Sequence, residues 1–143
     1  MRTLFHTSLA GLALVALFAA TPALAETVNF KAELKGANEV PPVTSKGLGS
    51  ASVTYDTASK KLTWKVTHAG LSGNATAGHF HGPAAADKNA PVVVPFSGNL
   101  TSPIEGSATL TDAQAADLLA GNWYINIHTA DNKPGEIRGQ VKK

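Results

Sequence analysis

The sequence predicts an all-β domain: an antiparallel, Greek-key-like sandwich or barrel of about seven or eight short strands, with one short helix near residues 111–120. Three observations carry this. Apolar and polar residues alternate in several separate stretches, loops rich in Gly, Pro, Asn and Asp separate them at short intervals, and a single segment carries helix-capping chemistry.

The first 25 residues stand apart from this pattern. Met1-Arg2 gives a positive start, Leu9 to Ala20 form an apolar run, and Thr21-Pro22 breaks it before Ala23-Leu24-Ala25. Small residues at Ala23 and Ala25 suit signal peptidase, so the reading is a secretion leader, residues 1–25, cleaved before Glu26. A membrane anchor needs roughly 20 apolar residues to span the hydrocarbon layer, and this run is shorter. The functional domain is then 26–143, one domain's worth of chain.

Within it, Thr27 to Leu34 alternates strictly, with Val28, Phe30, Ala32 and Leu34 on one face. Gly36 to Pro42 follows, where two prolines remove amide donors and favour an extended surface loop. Ala51 to Tyr55 and Leu62 to Val66 alternate again. The polar stretch Asp56 to Lys61 between them has hairpin length, so the two pair antiparallel. Further strands are expected at 78–81, 92–96, 104–110, 123–129 and 136–141. Thr111 and Gln114 form a capping box for the helix, Gly121 can end it, and Ala115, Leu118 and Leu119 face the sheet.

Composition excludes several chemistries. There is no cysteine, hence no disulfide, no thiolate nucleophile and no thiolate metal ligand. With Arg2 removed, the 12 Lys and Arg fall to 11 against 10 Asp and Glu, scattered without runs, which gives no footprint for nucleic acid. No nucleophile elbow, phosphate loop or closely spaced carboxylate pair occurs. The sequons at Asn74 and Asn99 matter only in a glycosylating host.

Imidazoles remain. His6 lies in the leader, which leaves His68, His79, His81 and His128. His79 and His81 flank Phe80 in Gly78-His79-Phe80-His81-Gly82-Pro83, so strand parity sends Phe80 to the core and both imidazoles to the other face. In Trp123 to Thr129, Trp123, Ile125 and Ile127 share the core face, while Tyr124, Asn126 and His128 share the second. Ile137 and Val141 put Glu136, Arg138 and Gln140 there too. If these strands are neighbours, His79, His81 and His128 converge into a donor set suited to copper or zinc. Tyr124, Asn126, Glu136 and Arg138 would surround it. Glu136 and Arg138 would pair with each other or with loop backbone; the sharper alternative is an active-site acid or anion clamp. His68 shares the core register of Leu62, Trp64 and Val66 and is expected to be a buried, hydrogen-bonded residue outside the set.

Four blocks resemble the CHRD family, named from the repeated domain of chordin and also found as a single domain in exported bacterial proteins. They are Phe30 to Pro42 with its Asn-Glu-Val-Pro-Pro loop, Gly70 to Gly73, Gly78 to Ala84, and Tyr124 to Thr129 running into Pro134 to Gln140. The resemblance implies an all-β domain and carries over no catalytic residue. The histidine pattern is similar, by analogy only, to the copper ligation of copper/zinc superoxide dismutase.

The expectation is a soluble, periplasmic or secreted protein that binds copper or zinc through His79, His81 and His128, and possesses no membrane span once its leader is removed. One alternative is a metal-free structural or protein-interaction module that uses the Asn38 to Pro42 loop as a contact patch with another extracytoplasmic protein. Another is a redox enzyme of dismutase type, reacting at the open position of a three-histidine copper.

Overall fold

Strict alternation becomes one continuous sheet in the computed structural model, which describes residues 24–143. The predicted leader therefore lies, but for Leu24 and Ala25, outside the described residues. The strands are β1 (Thr27–Lys35), β2 (Leu48–Asp56), β3 (Lys61–Ala69), β4 (Ala75–His81), β5 (Val92–Pro95), β6 (Ile104–Thr109), β7 (Tyr124–Thr129) and β8 (Ile137–Gln140), with helix α1 (Asp112–Leu119) between β6 and β7. They run antiparallel in the order β5-β4-β7-β8-β1-β2-β3-β6, a nearly closed, barrel-like sheet.

The predicted β2–β3 hairpin is present and longer than expected, paired from Leu48↔Ala69 to Asp56↔Lys61. Asp56 Oδ1 accepts the backbone N–H and the hydroxyl of Ser59, and Lys60 takes a left-handed conformation (φ 58°) to close the turn. Thr111 caps α1 as predicted: its Oγ1 accepts the Gln114 N–H, and the Gln114 side chain accepts the Thr111 N–H. Ala115 and Leu118 are buried against the sheet and Leu119 packs at its margin.

The core-facing parity predicted from alternation holds for most of the assigned positions, with Val28 and His68 only half-buried. Phe30, Leu34, Val53, Leu62, Val66, Phe80, Ile125, Ile127 and Ile137 are all at most 2 % exposed. An aromatic group knits the two halves together: Trp64 stacks on Phe96 and meets Phe80 edge-on, at centroid distances of 5.5 and 5.2 Å.

The halves join along β8. It pairs with β7 from Tyr124↔Gln140 to Ile127↔Ile137 and meets β1 at Lys35↔Arg138, with Lys31 and Lys142 bridging further on. Gly139 is required here, because a Cβ would press into the Glu33 carbonyl of β1.

The second face of β4, β7 and β8 carries the polar residues that parity assigns to it. Much of it is covered: Tyr124, Asn126, Glu136 and Arg138 are each at most 3 % exposed, while His79, His128 and Gln140 are half-buried. The loops 36–45, 82–91 and 130–136 fold over this face, and the polar side chains are what hold them down.

Candidate metal centre

Pairing of β4 with β7 supplies the adjacency on which convergence of the histidines depends. His79 stands opposite Asn126 and His81 opposite Tyr124, while His128 is one rung further along. One ring nitrogen from each of His79, His81 and His128 lies within 4.8 Å of the others. His68 is elsewhere. It is half-buried rather than buried, and its Nε2 lies 2.8 Å from the Leu100 carbonyl oxygen.

Two of the three rings are oriented by backbone. A carbonyl oxygen can only accept, so Nδ1 of His81 donates to Ala90 O at 2.9 Å and Nδ1 of His128 donates to Lys133 O at 2.7 Å. In the neutral ring each Nε2 is then a bare acceptor pointing into the cluster. This is how a protein holds imidazoles that bind a metal through the opposite nitrogen. His79 Nδ1 sits 3.1 Å from His128 Nε2. Burial, then the neighbouring His128 and His81, bring the His79 pKa down to about 4, so at neutral pH this ring is uncharged. Burial likewise lowers His81, against the raising effect of its bonds to Ala90 and Asn126.

The surrounding residues supply that orientation. Tyr124 lies between two planar groups: the His81 ring is parallel to it (1°) at 4.8 Å, and the Arg138 guanidinium sits 3.5 Å from its centroid. Arg138 donates to Asn89 Oδ1 (2.9 Å) and Lys88 O (2.6 Å). Gln140 Nε2 donates to Ala84 O and Gly121 O. Together they fix the 82–91 loop, whose Ala90 carbonyl in turn fixes His81.

Glu136 and Arg138 do not pair with each other. Glu136 Oε1 accepts the Ser45 hydroxyl and the Ser72 N–H, and Oε2 accepts the hydroxyls of Ser72 and Thr129, all at 2.6–2.8 Å. Burial pushes this carboxyl up, but those donors outweigh it and hold it at about 2. The charge closes the 130–136 turn, which carries Lys133 O to His128.

Glu39 is the residue the sequence reading missed. The pattern there predicts a surface loop, yet Glu39 is 6 % exposed and its Oε1 has no hydrogen-bond partner among the described residues. Burial raises it to about 7, against the lowering effects of Arg138 and Asn126. The only sequence signal is the acid's place between Asn38 and two prolines, and no periodicity reads such a position. Glu39 lines a chamber of about 380 Å³ with Pro41, His81, Tyr124, Asn126 and Asn132, beside the imidazoles. Of the Asn38 to Pro42 contact patch, Pro41 and Pro42 remain exposed, whereas the Asn38 side chain is spent on Arg138 O and Glu33 O.

Fold and site together define an all-β, barrel-like domain with three histidines gathered on the loop-covered face of its sheet. A family model described as CHRD domain matches residues 30–141, and the chain belongs to that family. No curated protein and no solved structure matches the chain.

Proposed function

We propose that this protein binds a copper or zinc ion through His79, His81 and His128, and that it does so outside the cytoplasm, in the periplasm or as a secreted protein, after loss of residues 1–25. One observation carries the metal reading. Three ring nitrogens converge within 4.8 Å while two of the rings spend their other nitrogen on backbone carbonyls. Nitrogen donors of this kind suit both ions, and copper is favoured by its higher place in the divalent affinity order.

Calorimetric titration of chelator-treated protein with Cu(II) and Zn(II) tests the reading. Wild type is expected to bind at one site, and affinity no tighter than millimolar would sink it. His79→Gln is the clean control: among the described residues the His79 ring hydrogen-bonds to His128 alone and to no backbone carbonyl, so binding should fall with little change in melting temperature. His81→Gln is less clean, since it also breaks the Ala90 bond and the Tyr124 stack. Intact mass of protein recovered outside the cytoplasm checks cleavage before Glu26.

A metal-free interaction module is the second reading. It is favoured by a groove of about 690 Å³ lined by Lys31, Glu33, Val40, Asp87 and Lys142 on the outer side of β1 and β8.

A further inference from the structure

We propose that Asn126 is a fourth donor to the ion, through its carbonyl oxygen, and that the resulting three-nitrogen, one-oxygen set is built for tetragonal Cu(II) rather than tetrahedral zinc. This rests on the metal reading above and deepens it.

The first observation is a conflict of acceptors. Asn126 Oδ1 lies 2.9 Å from Nε2 of His81 and 2.9 Å from Nε2 of His128. In their neutral forms both rings commit their N–H to the Ala90 and Lys133 carbonyls, so two nitrogen lone pairs then face an oxygen that can only accept. The amide cannot be turned to relieve this without cost. Its Nδ2 donates towards Pro134 O at 3.4 Å on the side of the Glu39 carboxyl, and a reversed amide would set its oxygen against both. A cation among the three atoms converts mutual repulsion into shared coordination.

The second observation is metric. Donors about 2.0–2.1 Å from a metal are about 2.9 Å apart when they subtend a right angle and about 3.3 Å apart in a tetrahedron. The successive separations are 3.1 Å from His79 to His128, 2.9 Å from His128 to Asn126, and 2.9 Å from Asn126 to His81. The two separations at Asn126 match a right angle, the geometry of Cu(II) with nitrogen and oxygen ligands, and the 3.1 Å between His79 and His128 lies midway between the two geometries. Burial fits as well: Asn126 sits at 3 % exposure in the middle of the site, where a polar side chain is retained for a partner.

The test is pulsed double resonance on Cu(II)-loaded full-length protein grown with carbon-13 asparagine, alongside Cu(II) affinities of Asn126→Leu and Asn126→Asp. A tetragonal copper spectrum with a carbon-13 coupling from the amide carbon is expected. Asn126→Leu should weaken Cu(II) binding about 10- to 100-fold, while Asn126→Asp, which keeps an oxygen donor, retains it. A three-nitrogen copper spectrum with no carbon-13 coupling overturns the role of Asn126 and leaves the histidine site standing. A spectrum no different from aqueous copper overturns both. If Asn126→Leu fails to fold by circular dichroism, the labelled wild type and Asn126→Asp decide alone.

Discussion

Replacing Glu136 by glutamine removes one negative charge from a site that offers it four donors and no counter-ion. The Ser72 N–H is fixed, but the hydroxyls of Ser45, Ser72 and Thr129 can rotate. The substituted side chain would therefore keep its oxygen on Ser45 and the Ser72 N–H and turn its amide towards the other two hydroxyls. The fold survives this exchange, and the charge-assisted part of the network is lost. A carboxyl that titrates near 4.5 in the unfolded chain and at about 2 here gains roughly 3 kcal/mol from folding ionised. The native pKa is depressed, so this stability is fully present above pH 4.5 and disappears as pH falls towards 2. Urea denaturation of wild type and Glu136→Gln at neutral pH should therefore differ by about 2–3 kcal/mol, and the gap should close to under about 1 kcal/mol near pH 2.5. Equal stabilities at neutral pH, or a gap that persists unchanged in acid, would refute the assignment of this carboxylate as the clamp on the segments around Ser45, Ser72 and Thr129.

Glu39 has the opposite sign. Its folded pKa of about 7 lies above the unfolded 4.5, so ionising it costs stability as pH rises through that window. Glu39→Gln should match wild type near pH 5 and exceed it by on the order of 1–3 kcal/mol at pH 8; a melting curve that falls in parallel for both proteins would contradict this. Arg138→Lys loses the fork that reaches Asn89 and Lys88 together and the planar stack on Tyr124, and is expected to cost about 2–4 kcal/mol in urea denaturation. Gly135 has φ +137°, and a Cβ there would run into the Glu39 carboxyl and the Asn126 amide. Gly135→Ala should therefore cost at least about 2 kcal/mol and weaken any Cu(II) binding, both measurable on one preparation.

The strands and the capped helix are legible in the sequence because alternation at period two and a Thr-x-x-Gln box are local signals. Phe80 and Ile127 can be assigned to the core, and His79, His81 and His128 to the opposite face, from parity alone. Parity says which side a residue faces, not what lies over that side. It marks the second face as merely less apolar, and only the tertiary fold brings in the 36–45, 82–91 and 130–136 segments to bury it. The clamp on Glu136 is illegible for the same reason: Ser45 and Ser72 sit 91 and 64 residues away in sequence. The carbonyls of Ala90 and Lys133, which orient two imidazoles, carry no side-chain signature, so no sequence pattern points to them.

The seam at β8 makes the order of synthesis matter. β1, β2, β3 and β6 can zip up as soon as they exist, and β4, β5 and β7 likewise, but the two rafts share no ladder until Ile137–Gln140 lies between Tyr124 and Lys35. The final closure spans about a hundred residues of intervening chain, the kind of long-range event that slows folding. A ribosome-bound chain stopped short of β8 would carry every imidazole of the cluster yet lack Arg138 and Gln140, whose grip on residues 84–89 steadies the Ala90 carbonyl. The full set of contacts that orients the cluster is thus complete only with the closing strand.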